Sequence, residues 1–354
     1  MEKLIECIKN FSKLEMNLLL DAIFDGGEER HVILFQVLKA LPESEKEECM
    51  KLFYAFINPK WLNERISETE SASAELLEKH LFFLMETIET FPEKVIEIEK
   101  NTAAAKQKCL EYREVMKAGW KETVKTDQMD GVPFPPVQKS LDESQELILL
   151  PQATAEVVKK QNIFDCINNR ASRRKFTTDE ISLAELSFLL WATQGLKDQL
   201  MDGKLTKRTV PSGGSRHPFE TYLVVNHVTG LKEGVYRYQP MEHGLVYLFD
   251  IENRQEKTAK AALEQSMAGE CAVCFVWSVI PYRCEWRYML ESKKIILQDS
   301  GHLCQNLYLA CEALDLGTCA IGAYDQKLFD ELIRLDGKEE FTVYVAPVGV
   351  PAKK

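Results

Sequence analysis

The spacing of apolar residues divides the chain into a helical first third and a mixed remainder. Up to about residue 117, apolar positions recur every three or four residues, which predicts successive amphipathic helices separated by glycine and proline. The runs are LIECIKNFSKLEMNLLLDAIF, HVILFQVLKAL, EKEECMKLFYAFI and AELLEKHLFFLMETIETF. We expect residues 1–117 to form an all-helical accessory domain in which the isolated His31 and His80 are structural.

Residues 118–160 interrupt this pattern. They are rich in proline and have few periodic apolar positions before the run LILL. Such a composition is typical of a linker or an extended chain rather than of packed helices. We therefore interpret residues 118–160 as a linker that wraps over the surface of the domain that follows.

Residues 161–354 mix helical and strand patterns. Residues 183–195 predict an amphipathic helix that ends at Gly195, and Ser292–Gly317 is the strongest helical pattern of the chain. The apolar stripe of this long helix consists of Ile296, Leu303, Leu307, Ala310 and Leu314. The predicted strands are TYLVVNHV, GVYRYQP, GLVYLFD, CAVCFVWSVI and FTVYVAPVGV. Their short, hairpin-like spacing predicts a largely antiparallel sheet and an α+β fold.

Charge and composition exclude several classes of protein. The 354 residues carry a net charge of -11 without the clustered basic face that binding a phosphate backbone requires, which argues against a nucleic-acid partner. No apolar run approaches the roughly 18 residues that span a bilayer, and the first residues do not resemble a secretion signal. Ten scattered cysteines are typical of buried thiols in a reducing compartment. We expect a cytoplasmic protein without membrane or nucleic-acid partners.

A short basic run is the first candidate for a ligand-binding segment. In RASRRKF, Arg170, Ser172 and Arg174 occupy alternate positions. Two guanidinium groups and a hydroxyl could together bind the oxygens of a phosphate monoester. A solvated basic surface is the alternative interpretation of this run.

Two further segments contain glycine where a ligand would need close access to the backbone. In PSGGSRHP, Gly213 and Gly214 permit a positive φ, and prolines fix both ends of the loop. In AIGAYD, Gly322 and Ala323 leave little side chain over the backbone, so that an N–H group could face a flat ring. A tight structural turn and a packed strand are the respective alternatives.

The order of these segments resembles the nitroreductase-like flavoprotein superfamily, and within it the SagB-type dehydrogenase branch. The resemblance covers residues 125 to 354 and rests on RASRRKF, LSFLLWATQG, RTVPSGGSRHPFETYLVV, GVYRYQP, DSGHLCQNLYLACEALDLGTCAIGAYD and VAPVGVP. It implies a three-layer sandwich with a mainly antiparallel sheet at 161–354. It also implies bound FMN, and NAD(P)H as a reductant.

The resemblance assigns site residues position by position. It places the FMN phosphate at Arg170, Ser172 and Arg174. It places the flavin ring against two further segments, whose residues are Pro211, Ser212, Gly213 and Ser215 from a partner subunit, and Ile321, Gly322 and Ala323. The implied assembly is an intertwined homodimer with FMN at the interface.

This chain departs from the branch at one position that matters for catalysis. Peptide-azoline dehydrogenases of the branch carry a Lys-Tyr pair where this sequence has Arg287-Tyr288. Arginine stays protonated and cannot act as a general base, so lysine-like proton abstraction is doubtful. Tyr288 remains a candidate proton donor or acceptor, and His302 is either an acid or a structural histidine.

Two further features are weaker candidates for a ligand-binding or metal-binding role. Lys353 and Lys354 occupy the tail, where related proteins often place a cation near the flavin. Cys271 and Cys274 form a CxxC pattern, but within a strand they would point to opposite faces, so we expect no metal there. No other cluster has metal-ligand spacing.

The sequence therefore predicts an FMN-dependent oxidoreductase. Hydride would pass through flavin N5 between a nicotinamide or organic donor and a small-molecule or peptide substrate. The alternative is a non-catalytic flavin-fold partner within a peptide-modifying complex.

Overall fold

The computed structural model describes residues 104–113, 116–117, 119–120, 124–142 and 144–352. Residues 104–113 are helical, and the rest of the helical domain predicted for residues 1–117 lies almost entirely outside the described residues. The structural histidines His31 and His80 and the tail lysines Lys353 and Lys354, whose roles were predicted from the sequence, also lie outside the described residues. Residues Arg113–Lys354 form one compact unit.

Within the described residues, seven strands form one antiparallel sheet in the order β1-β6-β5-β4-β7-β9-β8, and β2 and β3 form a separate hairpin. The strands are β1 (Leu147–Leu149), β2 (Leu196–Leu200), β3 (Leu205–Arg208), β4 (Phe219–Val225), β5 (Gly234–Gln239), β6 (Gly244–Phe249), β7 (Val273–Val279), β8 (Gly317–Thr318) and β9 (Phe341–Gly349). The predicted α+β fold with a mainly antiparallel sheet is confirmed.

Helices pack on both faces of this sheet. They are α1 (Ile163–Asn169), α2 (Leu183–Gln194), α3 (Arg254–Ala261), α4 (Met267–Glu270), α5 (Tyr282–Tyr288), α6 (Ser292–Ala313) and α7 (Gln326–Leu332), with short 3₁₀ turns at Ala155–Val157, Gly213–Ser215 and Met289–Glu291. Helices α2 and α6 contribute to one apolar core, and α3, α4 and α7 contribute to the other. The result is a three-layer sandwich.

Strand β4 shows how one sequence supplies both cores. Leu223 and Val225 lie in the core beneath α2 and α6, whereas Tyr222 and Val224 lie in the opposite core. All four side chains are buried because successive strand residues point to opposite faces and both faces are covered. This explains why the second half of the strand, Tyr222–Val225, does not alternate with polar residues.

The two predicted helices of residues 161–354 form close to their expected bounds. Helix α2 begins with a capping box, in which Ser182 and Glu185 satisfy each other's main-chain N–H groups. It ends at Gly195 with a negative φ, so the glycine is needed for space and not for a left-handed turn. A Cβ at Gly195 would overlap Trp191. Helix α6 buries the predicted stripe and ends at Ala313, four residues before Gly317.

The extended segment 124–142 lies against the sheet domain. Buried side chains of the domain donate to its main-chain carbonyls. Trp286 Nε1 donates to Val132 at 3.0 Å, and Arg208 Nη2 donates to Val137 at 2.8 Å. Hydrogen bonds from buried groups hold this segment in place without secondary structure of its own.

The expectation for the CxxC pattern is wrong in one respect. Strand β7 begins only at Val273, so the alternation of a strand does not apply to Cys271, and Cys271 and Cys274 lie in the same apolar core. Both thiols are buried, and a contact with Cys271 raises the pKa of Cys274 well above its ordinary value. Within the part of the chain that the structure describes, no group of metal-binding side chains is found.

Candidate functional site

The basic run lies beside the end of helix α6, next to strand β8. Helix α1 ends at Asn169 and is capped by Arg170, after which the chain becomes extended and Ser172 pairs with Thr318. The main-chain N–H of Arg173 donates to the oxygen of Thr318 at 2.9 Å. A Cβ at Gly317 would lie only 2.7 Å from the Cβ of Arg173, so this approach requires glycine.

Tyr308 connects the basic run to the turn that follows β8. Its hydroxyl lies 3.1 Å from Ser172 Oγ and receives the main-chain N–H of Ala320 at 2.8 Å. The guanidinium of Arg170 lies over its ring, 5.3 Å from the centroid. One half-buried side chain of α6 thus joins two of the three segments identified in the sequence.

The turn after β8 presents an open backbone. Ile321 is buried and paired with Val345 of β9, whereas Gly322 and Ala323 are exposed. A Cβ at Gly322 would meet no atom within 4 Å, so the space above this residue is free. A flat ring could lie there.

The donor set of the basic run fits a phosphate monoester. Arg170 and Ser172 are half-buried and Arg174 is exposed, so all three are accessible to a ligand. Among the described residues, no carboxylate lies within salt-bridge distance of Arg170 or Arg174. The two guanidinium groups are therefore available for an anion.

The proline-flanked loop is anchored to the N-terminal half of α6 by Asp299. Ser212 Oγ donates to Asp299 Oδ2 at 2.5 Å, and the main-chain N–H of Gly213 approaches the same carboxylate at 3.2 Å. Ser212 Oγ also accepts the N–H of His217 at 2.9 Å. The single hydroxyl hydrogen of Ser212 is thus used within the chain, and only its remaining lone pair could meet a ligand.

Close packing explains both glycines of this loop. A Cβ at Gly213 would overlap Ile295 of α6, and one at Gly214 would overlap the hydroxyl of Tyr288. Gly214 also has φ of 57°, which L side chains rarely adopt. The loop is consequently a structural turn as well as a candidate binding element.

The outer side of the loop borders a cavity of about 610 Å³. Its walls are the hairpin β2–β3 and the loop, and its lining includes Lys197, Lys207, Pro211, Ser212, Ser215 and His217. His217 is only 4% exposed. Burial and then the charge of Arg208 lower the pKa of His217 to about 3, so the imidazole is neutral at physiological pH.

The structure does not bring all three segments together within one chain. Asp299, which holds the loop, and Tyr308, which holds the basic run, are nine residues apart on α6. At 1.5 Å and 100° per residue, the two side chains are separated by about 13.5 Å along the helix and by about half a turn around it. The loop and the basic run therefore lie on opposite sides of α6.

The predicted catalytic candidates lie with the loop. The ring of Tyr288 is half-buried and meets Trp120 edge-on, with centroids 5.7 Å apart. The guanidinium of Arg287 lies 5.4 Å from the same ring. His302 is 48% exposed, with its Nδ1 at 3.9 Å from Asp299, so it faces solvent rather than the sheet.

Sequence reasoning missed both side chains of α6 that hold the site. Asp299 lies on the apolar stripe, three residues after Ile296 and four before Leu303. A carboxylate in that place was a usable signal, because an acid on a buried stripe needs polar partners. Burial raises the pKa of Asp299, while its bond with Ser212 opposes the shift. For Tyr308 no comparable signal exists in the sequence.

The fold is a three-layer sandwich with an antiparallel sheet. Two accessible arginines lie beside the end of its long helix, next to an open glycine turn, and this arrangement suits a phosphorylated aromatic cofactor. Residues 167–350 match the profile of the nitroreductase family. The chain belongs to this family, whose members are oxidoreductases that use flavin and NAD(P)H.

Two curated proteins are similar to this chain. A candidate nitroreductase of Methanocaldococcus jannaschii is 30% identical over 192 residues, which cover 54% of this chain and 92% of that protein. The trifolitoxin-processing protein TfxB of Rhizobium leguminosarum is 27% identical over 165 residues, or 45% of this chain. The match spans only 44% of TfxB.

One solved structure shows the same fold. The crystal structure of a candidate nitroreductase from Anabaena variabilis superimposes with a TM-score of 0.50 at 22% identity, covering 61% of this chain and 45% of the other. Among the described residues, no helix has the length and apolar character required to cross a membrane.

Proposed function

We propose that this protein is an FMN-dependent oxidoreductase whose cofactor phosphate is held by Arg170, Ser172 and Arg174. The observation that carries the proposal is the pair of accessible guanidinium groups beside Ser172, without carboxylate partners among the described residues. Such groups bind phosphate oxygens through charge-assisted hydrogen bonds. Arg170 is further oriented by the ring of Tyr308.

The turn Ile321–Gly322–Ala323 is the proposed place for the flavin ring. It adjoins the phosphate-binding residues through Tyr308 and leaves free space over Gly322. Bound FMN would supply hydride transfer at N5, between NAD(P)H or an organic donor and the substrate. The protein's own part is to hold and orient the cofactor.

We further propose that the active form is a homodimer in which each loop reaches the partner's flavin. The loop containing Pro211, Ser212, Gly213 and Ser215 lies on the opposite side of α6 from its own basic run, so a second copy would be needed to combine them. Apolar side chains exposed on helix α1 support an interface: Ile163 is 62%, Phe164 71% and Ile167 59% exposed.

We propose that the molecule oxidised or reduced is a peptide, as in the SagB-type branch. The similarity to TfxB, named for processing trifolitoxin, supports this choice. Arg287 cannot take a proton at ordinary pH, so Tyr288 at the loop is the proposed proton donor or acceptor. Its hydroxyl lies against Gly214, where an added Cβ would overlap it.

The experiment begins with the absorption spectrum of the purified protein and titration of the apoprotein with FMN. We expect a flavin spectrum or saturable FMN binding. Arg170→Ala and Arg174→Ala should each lose FMN retention with an unchanged circular dichroism spectrum. Lys175→Ala is the matched control, since it removes an exposed neighbouring charge outside the proposed phosphate site.

Three outcomes would count against parts of this proposal. A wild-type protein that takes up no FMN contradicts it entirely. Full flavin loading of both arginine variants contradicts the phosphate assignment. FMN binding without any reduction by NAD(P)H or an organic donor favours the non-catalytic flavin-fold partner instead.

A further inference from the structure

Tyr308 lies in the middle of a short chain of hydrogen bonds that leads to the proposed phosphate site. The N–H of Ala320 donates to the Tyr308 hydroxyl at 2.8 Å, and Ser172 Oγ lies 3.1 Å from the same oxygen. The geometry of the second contact permits either hydroxyl to be the donor. Which one donates decides what Ser172 can offer to a ligand.

The donor inventory of the three groups gives the chain a direction. An amide N–H can only donate, so the Tyr308 oxygen accepts from Ala320 and its own single hydrogen needs another acceptor. Within the described part of the chain, Ser172 Oγ is the hydrogen-bond partner of this hydroxyl apart from Ala320. When Tyr308 donates to Ser172, the hydroxyl hydrogen of Ser172 becomes available to an anion.

In the opposite direction, neither hydroxyl would use its hydrogen-bonding capacity well. If Ser172 donated to Tyr308, it would present only lone pairs to a phosphate, and the tyrosine hydrogen would lack an acceptor among the described residues. An anion next to Ser172 therefore favours the direction Ala320 to Tyr308 to Ser172. Hydrogen bonds that point the same way also polarise and strengthen one another.

We propose that Tyr308 is a positioning residue that makes Ser172 a hydrogen-bond donor to the phosphate of the cofactor. The inference rests on the proposed function and deepens it. Its ring also supports the Arg170 guanidinium, 5.3 Å from the centroid. Because phenylalanine keeps the ring, Tyr308→Phe removes the hydrogen bond while leaving the support of Arg170 in place.

The test compares FMN with riboflavin, which has the same ring system but no phosphate. Apoprotein is titrated with each flavin, and quenching of flavin fluorescence gives the dissociation constant. Ser172→Ala should weaken FMN binding about tenfold, the effect of one hydrogen bond to a charged group. Tyr308→Phe should weaken it by a smaller factor, about two- to threefold, because Ser172 keeps its hydrogen but loses the bond that orients and polarises its hydroxyl. Neither change should alter riboflavin affinity. Tyr236→Phe is the matched control, since it removes a hydroxyl bonded to the carbonyl of Lys232 at 2.6 Å.

A double-mutant cycle with Ser172→Ala provides the second measurement. If Tyr308 acts through Ser172, Tyr308→Phe will have little further effect on FMN binding in the Ser172→Ala protein. An equal loss of affinity for FMN and riboflavin indicates a general structural role and overturns the inference. So does a Tyr308→Phe effect that persists fully without Ser172.

The failure of this inference is distinguishable from that of the proposed function. Unchanged FMN affinity in Tyr308→Phe, with wild-type protein that binds FMN, overturns the inference alone. A wild-type protein that binds neither flavin overturns the proposed function and the inference together. If Tyr308→Phe does not fold, titration of Ser172→Ala decides: an FMN affinity that does not fall overturns the inference, because Tyr308 would then have no phosphate-binding serine to position.

Discussion

Stability at acid pH should depend on His217, the buried histidine of the proline-flanked loop. Burial and the charge of Arg208 lower its pKa in the folded protein to about 3, whereas an unfolded chain leaves histidine near 6.5. Between these values the unfolded state binds a proton that the folded state does not. Stability is therefore complete above about pH 6.5 and falls as the pH decreases towards 3.

The magnitude follows from the two pKa values. Each pH unit between them changes the free energy of unfolding by about 1.4 kcal/mol, so that going from pH 7.5 to 5.0 costs about 2 kcal/mol. His217→Asn removes this titration, and asparagine tolerates the φ of 41° at this position. Any loss of packing in the variant is independent of pH and cancels in the comparison.

The assay is calorimetry of wild type and His217→Asn at pH 7.5 and 5.0. On going to pH 5.0, wild type should lose about 4–8 °C more in Tm than the variant, given about 2–4 °C per kcal/mol for a domain of this size. Equal losses in the two proteins would refute the reasoning. So would a titration of the His217 ring near pH 6.5 in NMR spectra of the folded protein.

Three further substitutions test packing around the site. Arg283→Met leaves the buried carboxylate of Glu220 without the guanidinium 2.5 Å away and should lower stability by about 3–5 kcal/mol; denaturation should show partial recovery when Glu220→Gln is added. Gly317→Ala places a Cβ 2.7 Å from that of Arg173 and should weaken FMN binding more than riboflavin binding in the same titrations, because it displaces the basic run. Gly214→Ala forces a left-handed φ on alanine and overlaps a tyrosine hydroxyl, so we expect a destabilisation of roughly 1–3 kcal/mol in thermal unfolding; an unchanged Tm would contradict the strained turn.

The sheet and its two principal helices were predictable because their patterns are local. The five predicted runs of branched and aromatic residues contain strands β5, β6, β7 and β9 in full, and all of β4 except its first two residues. The apolar stripe of α6 identified its buried side before any contact was known. Burial of one face or both faces leaves a periodic pattern in the sequence, and such a pattern predicts the element without knowledge of its neighbours.

Other elements left no such trace. Strand β1 has three residues and the hairpin β2–β3 reads LKDQL and LTKR, with many polar side chains. Cys271 and Cys274 lie in one core because β7 begins between them, which depends on a strand boundary rather than on residue spacing. Boundaries of this kind are set by packing of neighbouring elements.

The fold class, the long helix and the three candidate ligand-binding segments follow from local residue patterns. The tertiary structure alone decided how these segments are arranged, since Tyr308 joins the basic run to the glycine turn while Asp299 holds the proline-flanked loop on the opposite side of α6. Secondary structure follows from the periodicity of neighbouring residues. Which segments meet in one site depends on the directions in which side chains leave a packed helix. On α6, the nine residues from Asp299 to Tyr308 amount to about half a turn of net rotation.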